Sequence, residues 1–281
     1  VTGANSGIGK AATLLLAKND ATVIMVCRNK ERGQTALKEI SNQSKNPHIK
    51  LMIADLSSQK SIRAFVESFQ SKYDNLHILI NNAANFDLAM QKPVLTEDGI
   101  ETIFATNHLG PFLMTNLLID RLKGSAPARI INVASKGLIA FPFLNIEFDN
   151  LNGEKHFSPT HAYYHSKLAQ IMFTYELAHR LKDTGITANC IRVTNVAISD
   201  ERIKGQRKAW FYRQIKRRFS ITPEQMADTY LYLAASPELT NVSGMNFDEH
   251  KRQVSSSKNS YKKEIWKKLW EVSRAMVNLN V

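Results

Sequence analysis

Three glycines within seven residues, Gly3-Ala4-Asn5-Ser6-Gly7-Ile8-Gly9, open the chain and narrow its fold more than any other feature. A turn this rich in glycine lets the backbone approach a pyrophosphate closely. The residues that follow, 10–18, are predicted as a helix whose N-terminal amides and dipole would face the phosphates. The spacing is G-x-x-x-G-x-G rather than G-x-G-x-x-G, and alone it also fits an ordinary strand–helix turn. A loop of this kind needs a buried strand before it, yet Val1 runs straight into Thr2-Gly3. The first strand is therefore read as truncated. Any signal or anchor before Val1 is beyond what this sequence shows.

Strand and helix signals then alternate. Residues 22–27, Thr-Val-Ile-Met-Val-Cys, read as a buried parallel strand, and Arg28 stands at its end. In a doubly wound fold that position faces the adenosine ribose. An acid there suits a free 2′-hydroxyl and an arginine suits a 2′-phosphate; a solvated arginine at a strand end is the plainer alternative. Residues 51–54 read as a strand ending in Asp55-Leu56, 61–73 as an amphipathic helix, and 76–80 as a strand leading into Asn81-Asn82-Ala83. Residues 98–123 read as mostly helical, with Asn107 near the middle. Residues 130–133 form a strand before Ala134-Ser135, residues 136–160 are irregular, and 186–193 form a further strand. This order predicts an α/β fold of the Rossmann type. Its doubly wound parallel sheet would carry helices on both faces, in a single domain over 1–281.

Chemistry is suggested by Tyr163-Tyr164-His165-Ser166-Lys167. Tyr163 and Lys167 are four residues apart, which on a helix places them on one face a turn apart. Leu168, Ile171, Met172, Tyr175 and Ala178 recur at helical intervals after them. A phenol titrates near 10, and a nearby ammonium lowers that value, giving a general acid/base for a carbonyl or alcohol. Tyr164 would point about 100° away round the helix. Taken alone, a Tyr-x-x-x-Lys match is as well explained by a surface pair.

Taken together and in order, these segments resemble the short-chain dehydrogenase/reductase superfamily. The resemblance rests on residues 2–9, Asp55-Leu56, Asn81-Asn82-Ala83, Asn107, Ser135 and Tyr163…Lys167. Within it the chain looks most like the retinol dehydrogenase-like reductases. That likeness is carried by residues 61–65, Asn107-His108-Leu109-Gly110, 150–155, 162–169 and the ending Ile265-Trp266-Lys267-Lys268-Leu269-Trp270, read as part of a C-terminal helix over 261–281. The resemblance implies hydride transfer with a nicotinamide cofactor and an apolar aldehyde, ketone or alcohol as substrate. It assigns Tyr163 the substrate proton, and Lys167 the nicotinamide ribose and the lowering of the Tyr163 pKa. Ser135 would hydrogen-bond the substrate oxygen. Asn107 would order a water linked to Lys167. The cofactor-binding set is then Gly3, Asn5, Ser6, Gly7, Ile8, Gly9, Arg28, Asp55, Leu56, Asn82, Ala83, Tyr163, Lys167 and Val196, with NADP(H) expected because of Arg28. No metal ligands are assigned.

Three departures from the family pattern stand out: Ala84 follows Asn81-Asn82-Ala83 where glycine is usual, Ala134 replaces a serine before Ser135, and Val193-Thr194-Asn195-Val196 replaces a Pro-Gly segment that closes over the nicotinamide.

Composition bounds the remaining classes. The chain has 281 residues, 43% of them hydrophobic, enough for one large domain. Two cysteines, Cys27 and Cys190, cannot build a disulfide framework and suit a reducing compartment, the cytoplasm or the cytoplasmic face of an intracellular membrane. The longest apolar run, 138–144, contains Pro142 and falls far short of the roughly 18 residues of a membrane span. The net charge of +12 is local. Residues 202–218 hold eight Lys/Arg and no acid, and residues 251–270 hold seven Lys/Arg and one acid. Trp210, Phe211, Tyr212, Ile215 and Phe219 interleave with the first of these stretches. Residues 203–219 are read as a helical lid over the substrate entrance, resting on an anionic membrane surface or simply solvated. No nucleic-acid-binding motif accompanies the basicity, and a homodimer is compatible with the reading. Rivals to the enzyme are a nucleotide-binding sensor or scaffold without turnover, and a membrane-surface protein with a vestigial fold.

Overall fold

The computed structural model describes residues 1–194 and 220–279. Six parallel strands appear in chain order: β1 (Val23–Cys27), β2 (Ile49–Ile53), β3 (Ile78–Asn81), β4 (Ala128–Ser135), β5 (Ile186–Val193) and β6 (Asn246–Phe247). They pair as β1-β2 and as β3-β4-β5-β6. Residues 1–3 join the two sets. The Thr2 amide donates to the Ile80 carbonyl at 3.0 Å, the Gly3 amide to that of Val26 at 2.9 Å, and the Val26 amide to that of Val1 at 2.9 Å. The chain's first residues thus occupy the central slot of a sheet that winds outward in both directions, where such folds place their ligands.

The helices are α1 (Gly7–Lys18), α2 (Lys30–Ser44), α3 (Gln59–Gln70), α4 (Thr102–Phe104), α5 (Gly110–Leu117), α6 (Ile119–Gly124), α7 (Pro159–Arg180), α8 (Pro223–Ala235) and α9 (Lys263–Met276). A π-helical turn, Ala105–Leu109, separates α4 from α5. Side chains alternate across β4: Ile130 and Ala134 enter one core, Ile131 and Val133 the other. The first core gathers α3, α5, α7 and α9, with Phe65, Phe69, Phe112, Met172, Phe173 and Trp270 buried. The second gathers α1, α2 and α8 through Ala12, Leu16, Ile40, Met226 and Tyr230. In α3 the buried residues Ile62, Phe65, Val66 and Phe69 follow helical spacing, and Ser58 caps the first turn by accepting from the Ser61 amide. Each such apolar side chain contributes roughly 1.5–3 kcal/mol when fully buried.

The expected alternation and the two-faced sheet are therefore present. The boundaries differ in informative ways. The first helix starts at Gly7 and not at residue 10, so the last two glycines lie in its opening turn. The C-terminal helix begins at Lys263 rather than 261. The irregular stretch 136–160 contains a 3-10 turn, Lys136–Ala140, capped by the Ser135 hydroxyl, which accepts from the Gly137 amide at 3.2 Å. Val196 and the lid of residues 203–219 lie outside the described residues.

Candidate active site

The residues of the expected site that follow strands gather at the carboxyl edge of the sheet. Gly3 follows the central slot, Arg28 follows β1, Asp55 follows β2, Asn82 and Ala83 follow β3, and Ser135 closes β4. Gly3 and Gly7 have φ of 65° and 54°, values that side chains with a Cβ rarely adopt. A Cβ on Gly9 would press into the Gly3 carbonyl and the Asn82 side-chain amide. The turn is thus as tight as it can be made, and the first turn of α1 carries no acidic side chain to compete with an anion.

Asn82 fixes this turn. Its Nδ2 donates to the Thr2 carbonyl at 2.8 Å, and the amides of Asn82 and Ala83 both donate to Thr2 Oγ1 at 2.9 Å. The buried Tyr230 of α8 donates its hydroxyl proton to Asn82 Oδ1 at 3.0 Å. Its neighbour Asn81 serves the sheet, donating to Thr115 Oγ1 at 3.0 Å and to Asn132 Oδ1 at 2.8 Å, while Asn132 donates to Thr174. Asp55 shapes the turn into α3: its carboxylate accepts from the Ser57 amide and hydroxyl, and Leu56 beside it is buried. Arg28 is exposed, and no hydrogen bond or ion pair engages its guanidinium among the described residues.

Helix α7 carries the reactive pair. Ser158 caps it by accepting from the His161 amide, and Pro159 occupies its first turn. Tyr163 and Lys167 share a face, with Lys167 Nζ 5.7 Å from the Tyr163 ring centre. Tyr163 is packed against Phe86, ring centres 4.2 Å apart, and against Tyr164 at 5.2 Å. The Ser135 side chain is near enough to the Tyr163 hydroxyl to pull the phenol's pKa down. Burial pushes the phenol up to about 12 and outweighs the downward pull of Ser135. Lys167 is itself pushed down to about 8 by burial. Its ammonium donates to the Val133 carbonyl at 2.6 Å. The expectation that Lys167 lowers the Tyr163 pKa is not met in this structure: burial dominates both groups, and Ser135, not Lys167, supplies the downward pull on the phenol.

Asn107 lies in the π turn, directly after α4, which Glu101 caps by accepting from the Ile103 and Phe104 amides at 2.8 Å. Single π turns often mark functional positions. Asn107 accepts from the Asn85 amide at 2.6 Å and donates to the Asn85 carbonyl and to Ser166 Oγ, each at 3.0 Å. Ser166 in turn donates to the Tyr163 carbonyl at 2.7 Å. The Asn107 side chain therefore fixes the backbone beneath Tyr163, and its own carbonyl accepts from Gln170. Gln170, Ser166 and Tyr230 were not singled out from the sequence. Ser166 lies inside the Tyr…Lys motif and was legible there; the other two meet their partners only through folding.

The surroundings are apolar. Phe86 is 47% exposed beside Tyr163, Ile139 on the turn begun by Ser135 is 62% exposed, and Phe141 packs on Tyr164. No helix among the described residues is long and apolar enough to cross a membrane.

Residues 1–207 match the family model described as short chain dehydrogenase. Retinol dehydrogenase 12 of Mus musculus is 41% identical over 279 residues, spanning 99% of this chain and 85% of that protein. Retinol dehydrogenase 11 of Homo sapiens is 40% identical, spanning 100% and 86%. Among solved structures, an uncharacterised protein from Mycobacterium Paratuberculosis superposes with a TM-score of 0.73 at 25% identity, covering 99% of this chain and 91% of that one. A short chain dehydrogenase from Shigella flexneri 2a, solved in complex with NADP, shares the fold at 21% identity and a TM-score of 0.68, covering 89% and 95%. The chain belongs to the short-chain dehydrogenase/reductase family, whose members use NAD(P)(H), and is an oxidoreductase acting on CH–OH groups, related to the retinol dehydrogenases.

Proposed function

We propose that this protein is an NADP(H)-dependent enzyme that interconverts an apolar, retinoid- or lipid-like aldehyde or ketone and its alcohol, within one catalytic domain. The observation that carries the reading is the convergence of Ser135, at the end of β4, on Tyr163, with the Lys167 ammonium 5.7 Å from the Tyr163 ring, at the carboxyl edge of the sheet. The glycine cradle and the N-terminus of α1 fit a dinucleotide pyrophosphate, and Arg28 fits a 2′-phosphate. Asp55, Leu56, Asn82 and Ala83 line the same edge. The names of the relatives and the apolar rim at Phe86, Ile139 and Phe141 support the substrate class.

The nicotinamide, when bound, supplies or accepts the hydride. The protein's own residues manage the charge and the proton. Reduction builds negative charge on the substrate oxygen, and the Ser135 and Tyr163 hydroxyls are the donors placed to meet it. Tyr163 releases its proton to that oxygen. Lys167 stabilises the phenolate left behind and would hold the ribose hydroxyls. Asn107 acts through Ser166 as a positioning residue for the Tyr163 backbone.

Turnover of retinal and of long-chain aldehydes with NADPH and NADH is the direct test. NADPH should be preferred by about 10- to 100-fold in kcat/KM, the scale of one charge-assisted pair to phosphate. Tyr163→Phe should lose roughly a hundredfold or more in kcat while NADPH still binds. An unmutated protein that favours NADH would overturn the cofactor assignment, and a fully active Tyr163→Phe the catalytic one.

The basic, aromatic stretch 202–219 supports peripheral contact with an anionic membrane, on the cytoplasmic side of an intracellular bilayer. Each Lys or Arg contributes about 1 kcal/mol at most near such a surface, and salt screens it. Flotation with anionic liposomes should therefore occur at low salt and fade at high salt; indifference to anionic lipid at low salt would leave this stretch a solvated lid.

A further inference from the structure

Between β4 and the catalytic pair lies a cluster that the oxidoreductase reading does not use. Glu147 and His156 sit on the segment before α7, and His161 sits in the first turn of α7. His161 Nε2 is 3.1 Å from Glu147 Oε1, and His156 Nε2 is 3.1 Å from Glu147 Oε2. One ligand atom from each residue can be chosen so that all lie within 4.8 Å of one another. Among the described residues this is the one group of three His, Cys or acidic side chains close enough to share an ion.

We propose that Glu147, His156 and His161 form a binding site for a divalent transition-metal ion of the Zn2+ class. The sequence alone assigned no metal; the site emerges only when the loop folds back on the helix. Three points carry it. A tetrahedral ion with bonds of about 2.0–2.1 Å has ligand atoms about 3.3 Å apart. Each imidazole already lies 3.1 Å from one Glu147 oxygen, and a set with one atom from each residue spans at most 4.8 Å, so a small side-chain shift brings both rings to a shared oxygen. Two imidazoles and one carboxylate suit Zn2+ and its neighbours, whereas Mg2+ and Ca2+ require oxygen ligands. The surrounding contacts fix the loop: the Glu147 backbone amide donates to His165 Nε2 at 3.0 Å, and Asn150 Nδ2 donates to Glu147 Oε2 at 3.2 Å and to the His156 carbonyl at 3.1 Å while lying 3.3 Å from His156 Nε2, a contact an ion would replace. His161 is further held by stacking on His165, ring centres 5.8 Å apart. His156 is largely exposed, which leaves a face for a water ligand and a path for the ion.

The consequence for the enzyme is mechanical. An ion at this point ties the segment 147–156 to the helix turn two residues before Tyr163. The inference stands on these three side chains and does not depend on the catalytic assignment.

The test is calorimetric titration of the untagged, full chain with ZnCl2, with MgCl2 as control, and visible absorption after titration with Co2+. One Zn2+ per chain is expected, no Mg2+, and a Co2+ spectrum of a nitrogen–oxygen site. His156→Ala, His161→Ala and Glu147→Gln should each weaken Zn2+ binding by about tenfold or more, the least that losing a ligand costs when its supporting residues alone cost 10- to 100-fold. His156 lies on an exposed loop, so His156→Ala keeps the test decisive should His161→Ala disturb the helix. The absence of Zn2+ binding would make the cluster a plain hydrogen-bonded ion pair. Binding unchanged in His156→Ala would place the metal elsewhere. Either result overturns the proposal.

Discussion

Lys167 and Tyr163 respond to burial in opposite directions, and that contrast sets the pH behaviour of the chemistry. The phenol, pushed up to about 12, keeps its proton throughout the working range. The ammonium, pushed down to about 8, does not. A proton donor must be protonated to reduce a carbonyl, and Tyr163 always is. The charge that stabilises the phenolate is lost as pH rises through about 8, because a lysine with a lowered pKa becomes neutral there. We therefore expect kcat for reduction to be flat below that pH and to fall about tenfold per unit above it. A kcat profile from pH 6 to 10 measures this. Lys167→Arg, if it retains activity, should move the alkaline limb upward, since a guanidinium stays charged beyond pH ~12. An alkaline limb that stays put in Lys167→Arg would assign it to another group.

At the scale of elements, the cofactor cradle is held by contacts that no local pattern announces. The glycine turn, the helix that follows it and the Tyr163…Lys167 helix are legible because glycine placement and helical spacing are local properties, although the helix begins at Gly7, inside the turn. The strand at 186–193 matches its expected bounds, its apolar residues Ile186, Ala188, Cys190, Ile191 and Val193 interrupted by Thr187, Asn189 and Arg192. Helix α8 was not read, although Thr222-Pro223-Glu224-Gln225 forms a capping box that announces it. The two-residue β6 gives no periodic signal. The bond from Tyr230 to Asn82 spans 148 residues and exists only once α8 packs on α1. The link from Asn107 through Ser166 to Tyr163 likewise depends on the π turn meeting α7. Tyr230 tests the argument. Tyr230→Phe keeps the buried ring and removes the donor, leaving Asn82 Oδ1 short of a partner, so a loss of about 1–2 kcal/mol in urea unfolding is expected. Because Asn82 holds the glycine turn, NADPH affinity should also weaken by a few fold in a fluorescence titration. Lower stability with unchanged NADPH affinity would make Tyr230 a packing residue only.

Across the whole molecule, the chain's last helix closes the first core. Trp270 of α9 packs on Phe112, ring centres 4.9 Å apart, and Arg180 lies over Trp270 at 4.2 Å. Gln59 donates to the Met276 carbonyl at 2.9 Å and Arg63 to that of Val277 at 2.7 Å, so α3 and the C-terminal residues are tied together as well. At the centre of this junction His108 Nε2 meets Ser273 Oγ at 2.8 Å, while His108 Nδ1 is buried without a hydrogen-bond partner. That arrangement suits a neutral imidazole that donates from Nε2 and leaves Nδ1 bare. A second proton has nowhere to bond, and burial, with the nearby His165, pushes His108 down to about 3. The sign follows from linkage. Unfolded, the imidazole binds its proton near the ordinary 6.5; folded, it does so only near 3. The unfolded state therefore holds more protons between those values, and stability falls as pH drops through that window, by roughly 1.4 kcal/mol per unit for a single group. The expected result is a urea midpoint that declines below pH 6.5. The decline should be shallower in His108→Gln, which keeps a donor for Ser273 and removes the titration. Carboxylates titrate in the same window in both proteins, so the difference between the two curves isolates His108. Parallel curves would show that the junction between the π turn and α9 does not sense acid through this residue.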